Sequence, residues 1–114
     1  MTVDAKLARE LKIKTGIVKR LVKEFGYYEK EAVQQAEKAD KMTKEAQTDD
    51  EKYNAKKMAE VIQESKQMIG DSKRRMQQAA QELLKLMDDN QADFDEESEQ
   101  MVEEARQQIR AAGV

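Results

Sequence analysis

Residues 7–46 read LARELKIKTGIVKRLVKEFGYYEKEAVQQAEKADKMTKEA, and the spacing of their apolar residues decides the fold. Alternating steps of four and three from Leu7 reach twelve positions, and ten of them are apolar. The twelve positions are Leu7, Leu11, Lys14, Val18, Leu21, Phe25, Tyr28, Ala32, Gln35, Ala39, Met42 and Ala46. This spacing is typical of a helix that packs lengthwise against another helix. It predicts a first helix over about residues 4–46, with no proline to interrupt it.

We call these twelve positions the seam of the helix. The first half of this helix carries further apolar residues beside the seam. Ile13, Ile17 and Val22 widen the stripe, and a wide stripe suits contact with two neighbouring helices. Gly16 and Gly26 also lie inside the predicted helix, where each glycine costs about 1 kcal/mol relative to alanine. Either glycine marks a bend or a close helix approach, or it is simply tolerated.

A short polar break separates the first helix from a second. Thr48 and Glu51 have the spacing of a capping box, in which the threonine oxygen accepts from the N–H of Glu51 and the glutamate reaches back to the N–H of Thr48. Beyond it, steps of four and three reach ten positions, of which eight are apolar: Ala55, Ala59, Ile62, Lys66, Ile69, Lys73, Met76, Ala80, Leu83 and Met87. A second helix is predicted over about residues 49–88. A kink is expected near Gly70, where the seam turns polar.

A second polar break precedes a shorter third helix. Asp93 or Asp95 provides its N-cap, and Gly113 ends it, which predicts a helix over about residues 95–111. Its apolar stripe is Met101, Val102, Ala105, Ile109 and Ala112. The predicted fold is therefore all-α: an elongated three-helix bundle with two long antiparallel helices and one shorter C-terminal helix. All three belong to a single domain over residues 1–114.

The unequal helix lengths carry the first indication of function. A third helix of about 17 residues is roughly 25 Å long and covers less than half of the long pair. The wide stripe that includes Ile13, Ile17, Val22 and Phe25 is then incompletely covered. Such a surface implies a partner or self-association, unless lysine stems cover it.

The composition argues against an enzymatic function and against a membrane-spanning segment. The chain has no histidine and no cysteine, so no catalytic, metal-binding or cofactor-binding residue is assigned, no cofactor is expected, and the protein is not predicted to be an enzyme. No apolar run approaches the ~20 residues that span a bilayer. Residues 1–10 lack the apolar core of a secretory signal. A soluble cytoplasmic protein is expected.

Charge is distributed unevenly along the chain, although its total is only −3. Residues 1–30 carry a net charge of +4, residues 31–87 carry none, and residues 88–114 carry −7. One interpretation is a solvated surface with the acidic end folded back onto the basic one. The other is a basic face for an acidic partner. Nucleic acid is not expected as that partner, because the total charge is negative and aromatic residues are few.

Three ordered motifs resemble the tubulin-binding cofactor A family, also called the tubulin-specific chaperone A family. They are LKIKTGIVKRLVKE at residues 11–24, YEKEA at residues 28–32 and QESKQMIGDSKRR at residues 63–75. The family usually has proline where this chain has Gly70, so the kink angle is open. The resemblance implies a rod-shaped three-helix bundle that captures β-tubulin after its release from the cytosolic chaperonin and holds it before heterodimer assembly, without ATP hydrolysis.

This resemblance also implies β-tubulin and other tubulin-folding cofactors as partners, and a cytoplasmic, cytoskeleton-associated location. The candidate tubulin-binding residues are basic: Lys12, Lys14, Lys19, Arg20, Lys23, Lys30, Arg74 and Arg75. For each of them the alternative is a solvated charge or one within the bundle, and for Tyr28 core packing is favoured over contact. The alternative function is a generic helical scaffold or a homodimeric interaction protein, so the chain is expected to be a monomer or a homodimer.

Overall fold

The computed structural model describes residues 4–114 and contains three α-helices. The helices are α1 (Ala5–Glu45), α2 (Asp49–Asp89) and α3 (Glu99–Ala111), with short 3-10 turns at Gln91–Asp93 and Glu96–Ser98. Residues 4–114 include no strand. The prediction of an all-α fold with two long helices and one shorter C-terminal helix is confirmed. Residues 1–3, which begin the segment predicted to lack a secretory signal, lie outside the described residues.

Short polar side chains hold the starts of both long helices. The Asp4 carboxylate accepts a hydrogen bond from the N–H of Lys6 at 3.1 Å, at the start of α1. At the start of α2, the Thr48 hydroxyl oxygen accepts from the N–H of Glu51 at 3.1 Å, as predicted. The carboxylate of Glu51, however, accepts from the Thr48 hydroxyl at 3.0 Å and not from the Thr48 backbone, so that half of the capping-box prediction is wrong.

The seam of α1 follows the predicted positions along the whole helix. All twelve are buried or half-buried, and Leu11 and Val18 are 0% exposed. Lys14 and Gln35, the two polar members, are half-buried. A lysine is tolerated in such a position because its methylene stem packs while its ammonium group reaches water.

The seam of α2 differs from the prediction in its first half. Ala59, Lys66 and Lys73 were predicted to lie on it, and all three are exposed. Their neighbours one position earlier take these places: Met58 and Ser65 are half-buried and Ser72 is buried. The helix continues without a break through Gly70, so the chain does not reverse there, and the kink stays a prediction.

The described residues form two compact units. Unit 1 comprises residues 4–23 and 73–114, and unit 2 comprises Glu24–Ser72. The buried apolar side chains of unit 1 come from all three helices: Leu7, Leu11, Val18, Leu21, Met76, Ala80, Leu83, Met87, Val102, Ala105, Ile109 and Ala112. The prediction of one domain stays a prediction.

Unit 2 is an antiparallel pair of helical segments with a thinner core. Thr43 of α1, and Ala46 just after α1, share a groove with Ala55 of α2. Earlier in α1, Tyr28 shares a cleft with Ser65, which lies later in α2. Its buried apolar residues are Ala39 and Ala55, which are 8% and 6% exposed. Alanine removes little apolar area from water, so this unit gains less from burial than unit 1 does.

Two 3-10 turns lead into α3, so the α-helix begins four residues later than predicted. Of the two predicted caps, Asp95 forms one, but on the second 3-10 turn and not on α3 itself, whose N-cap residue is Ser98: the Asp95 carboxylate accepts from the N–H of Ser98 at 3.1 Å. The Ser98 hydroxyl accepts from the N–H of Asp95 at 2.9 Å and donates to the Asp95 carbonyl at 2.9 Å. At the other end Gly113 adopts the left-handed conformation, φ +78°, that terminates helices, as predicted.

Candidate protein-binding surface

One exposed side of α1 in unit 1 combines apolar and basic side chains. The α1 surface, as we define it, consists of Lys12, Ile13, Gly16, Ile17, Lys19, Arg20 and Lys23, all of them exposed. Lys12, Lys19 and Lys23 have the spacing i, i+7, i+11, which places them in one line along a helix, and Ile13, Ile17 and Arg20 form an adjacent line. Residues 12–23 contain five lysines and arginines and no acidic residue.

The two isoleucines of this surface are open to solvent. Ile13 is 56% exposed and Ile17 is 38% exposed, although Leu11 and Val18 beside them are completely buried. Of the other two residues of the stripe expected to be incompletely covered, Val22 and Phe25 are half-buried. Single exposed apolar residues are ordinary. An adjacent pair ringed by cations is more informative, because it offers a partner both apolar area and charge.

The cations of the α1 surface have no acidic partner among residues 4–114. Ion pairs in this range include those of Lys44 with Asp40, Lys57 with Glu60 and Arg110 with Glu103. None of these pairs joins α1 to α3, although residues of both helices belong to unit 1.

Lys44 and Asp40 form an exposed ion pair at 2.9 Å. The hydrogen bond that Lys44 donates to Asp40 raises the pKa of Lys44 above its usual value, and the negative charge of Asp40 raises it to a smaller extent. Lys44 is nonetheless open to water, where such pairs stabilise a fold little. The free cations of the α1 surface therefore cost the fold little by remaining unpaired.

The remaining predicted site residues lie elsewhere. Lys14 is half-buried on the α1 seam, so it does not share the α1 surface. Lys30 is exposed in unit 2, seven residues after Lys23 on the same helix. Arg74 and Arg75 are exposed on α2 in unit 1, and Arg74 already interacts within the chain. The structure thus brings together four of the eight predicted residues: Lys12, Lys19, Arg20 and Lys23.

Gly16 lies at the centre of the α1 surface. Residues three and four positions away are neighbours on a helix, and for Gly16 these are Lys12, Ile13, Lys19 and Arg20. Glycine here costs about 1 kcal/mol relative to alanine. A Cβ atom added to Gly16 would meet nothing within 4 Å, so no packing inside the described chain requires glycine.

A second charged surface, of opposite sign, lies on α3 and the turn before it. Glutamate and glutamine side chains line this open concavity: Glu96, Glu97, Glu99, Gln100, Glu103, Glu104 and Gln107. Within residues 4–114, no group of three acidic, histidine or cysteine side chains is arranged to hold a metal ion. Nor does any helix in that range have the length and apolar character needed to cross a bilayer.

Unit 2 has a small cleft between its two helical segments. Tyr28 and Glu31 of α1 line it with Ser65 and Met68 of α2, and its volume is about 60 Å³. Pockets for small-molecule ligands are typically 300 Å³ or more. Tyr28 is half-buried and donates a hydrogen bond to Glu24 at 3.3 Å, which agrees with the packing role favoured for it. Met68, 50% exposed, is an open apolar residue that the sequence reasoning missed.

Comparison with known proteins gives a consistent result over most of the chain. The family model described as "Tubulin binding cofactor A" matches residues 6–109. Human "Tubulin-specific chaperone A" is 50% identical over 91 residues, which cover 80% of this chain and 81% of the human protein. "Tubulin-folding cofactor A" of Arabidopsis thaliana is 35% identical over 102 residues, which cover 89% of this chain and 86% of the plant protein.

The same relationship holds at the level of structure. The solved structure of human tubulin chaperone cofactor a matches with a TM-score of 0.73 and 39% sequence identity. The match covers 95% of this chain and 99% of the human chain.

Proposed function

This chain belongs to the tubulin binding cofactor A family, and we propose that it captures β-tubulin after release from the cytosolic chaperonin and holds it until the α/β heterodimer assembles. Family membership supports the tubulin partner, since relatives are tubulin-specific chaperones and tubulin-folding cofactors. The specific step, between chaperonin and heterodimer, is the part of the proposal that experiment must establish.

The observation that carries the proposal is the α1 surface. Ile13 and Ile17 supply apolar area, and the surrounding cations have no acidic partner among residues 4–114. A partner that covers this surface must therefore be acidic and partly apolar. An unpaired tubulin subunit exposes the surface that its partner subunit would cover, and burial of such area stabilises a complex.

We assign the contact to the predicted basic residues in two groups. Lys12, Lys19, Arg20 and Lys23 form the central group, because they share the α1 surface. The others lie off this surface and are proposed only as secondary contacts: Lys14, Lys30, Arg74 and Arg75. Charges of this kind chiefly accelerate association and select the partner, while apolar contacts hold the complex together.

The action proposed is binding without catalysis. A chaperone that binds the unpaired subunit lowers the concentration of free subunit by mass action and so suppresses its aggregation. No ATP hydrolysis or cofactor is invoked. The proposed setting is the cytoplasm, in association with the cytoskeleton and with other tubulin-folding cofactors.

Self-association is the second candidate function, and the exposed isoleucines are the observation that favours it. Two α1 surfaces facing each other would, however, oppose four positive charges with four others, and like charges across an interface are destabilising. Light scattering distinguishes a monomer of 13.1 kDa from a dimer of twice that mass. A dimer whose formation requires Ile13 and Ile17 would support this alternative.

A pull-down with separated tubulin subunits tests the main proposal. The immobilised chain is expected to retain β-tubulin selectively over α-tubulin and over the assembled heterodimer. Absence of any complex with β-tubulin would refute the proposal. Equal retention of both subunits would support a tubulin-binding role but contradict the β-tubulin step.

A further inference from the structure

Gly16 is the one residue of the α1 surface that the free chain gives no reason to keep. It lies inside an unbroken helix, and among residues 4–114 Gly113 is the glycine with positive φ, so Gly16 is not required by its backbone conformation. An added Cβ would have open space around it. Alanine in its place would favour the helix. This open space leaves room for a bound partner to approach the backbone at Gly16.

We propose that Gly16 forms a notch at which a helix of the bound tubulin subunit crosses α1. The inference rests on the proposed function and names how that partner is held. The distance between two packed helices depends on the side chains at their point of contact, and glycine allows the closest approach. A helix crossing at Gly16 covers Ile13 and Ile17 with apolar side chains and places carboxylates near Lys12, Lys19, Arg20 and Lys23.

The chemistry of this occupant follows from the charges on the page. Residues 12–23 carry five cations and no acidic residue, so the crossing helix is acidic as well as apolar on its contact face. A second copy of this chain does not fit. Its own α1 surface repels the first, and the acidic concavity on α3 is lined by glutamate and glutamine and offers no apolar cover for Ile13.

Two substitutions test the notch through opposite effects on folding and binding. Gly16→Ala and Gly16→Leu are both expected to raise the midpoint of thermal unfolding, because both residues are better helix formers than glycine. Affinity for β-tubulin is expected to fall by about threefold for alanine and at least about tenfold for leucine, because each side chain fills the notch to a different depth. Circular dichroism gives the midpoint, and a titration with β-tubulin gives the affinity.

Gly26 supplies the matched control. It is also exposed in α1, and an added Cβ there would likewise meet nothing within 4 Å. Gly26→Ala and Gly26→Leu are expected to stabilise the helix and leave affinity unchanged. If both Gly16 variants bind as tightly as the unsubstituted chain, or if the Gly26 variants lose as much affinity, the notch is overturned while tubulin binding stands. If the unsubstituted chain binds no tubulin, the proposed function fails first.

Discussion

The Ser65 hydroxyl donates a 2.7 Å hydrogen bond to the side-chain oxygen of Gln35, joining α2 to α1 inside unit 2. Both side chains are half-buried on the helix seams. A polar pair at a seam fixes which turns of two helices face each other, because any slip leaves both groups without a partner.

Removal of this hydrogen bond is expected to destabilise the fold. Ser65→Ala should lower the free energy of unfolding by about 1 kcal/mol, because it leaves a half-buried amide oxygen unsatisfied. Urea unfolding of Ser65→Ala, Gln35→Ala and the double variant measures the coupling between the two side chains. Strictly additive losses would show that the bond contributes nothing.

Ser72, seven residues further along α2, is expected to respond in the opposite direction. It is 0% exposed, and its hydroxyl has no hydrogen-bond partner among the described residues. Ser72→Ala should raise the free energy of unfolding by about 1 kcal/mol, since it removes a buried unsatisfied group and improves helix propensity. Urea unfolding of this variant measures the change in the free energy of unfolding. A loss of stability would mean that the hydroxyl has a partner in solution.

The turn before α3 makes a third prediction, on the choice between two candidate caps. Asp95→Ala should lower the free energy of unfolding by about 1 kcal/mol, because the Ser98 N–H loses its acceptor. Asp93→Ala is the control and should change stability little. Thermal unfolding followed by circular dichroism compares them, and equal effects would contradict the assignment of the cap to Asp95.

Charge reversal on the α1 surface tests the site rather than the fold. Lys19→Glu should weaken β-tubulin binding by about tenfold at low salt and by less at high salt, because salt screens exposed charges. Lys41→Glu makes the same change at an exposed position of unit 2 and should have a smaller effect. Titrations at two salt concentrations measure both. If both variants lose the same affinity for β-tubulin, the effect comes from the net charge of the chain and not from the α1 surface.

A fifth prediction concerns the single domain. We propose that the two units unfold together, because α1 and α2 both run unbroken through the boundary and the buried apolar residues of unit 2 are only Ala39 and Ala55. Thermal unfolding should show one transition whose calorimetric and van't Hoff enthalpies agree. Two separate transitions would show that each unit folds independently.

The seam of α1 was predictable because its apolar residues define one set of seam positions. The sequence of α2 allows two such sets, which we call paths. The predicted path through Ala59, Lys66 and Lys73 and the observed path through Met58, Ser65 and Ser72 each contain eight apolar residues in ten. Counting apolar residues could not separate them. Size and charge could have, because a serine is buried more readily than a lysine, whose ammonium group must stay solvated.

The candidate site was only partly predictable. The basic cluster and its division were both visible in the sequence, because Lys14 falls at a seam position and Arg74 and Arg75 belong to the second helix. The openness of Ile13 and Ile17 depends on where neighbouring helices lie, which no local pattern fixes. The role proposed for Gly16 rests on the open space around an added Cβ atom, which only the structure shows.

The thin core of unit 2 has a consequence for the motion of the backbone. Segments with few buried apolar side chains open locally at lower free energy, and their amide hydrogens exchange sooner with solvent. Chain ends are usually the least protected part of a fold. Here α3 and its C-cap are anchored by Val102, Ala105, Ile109 and Ala112, so among residues 4–114 the fastest exchange should come from residues 24–72, in the middle of the sequence.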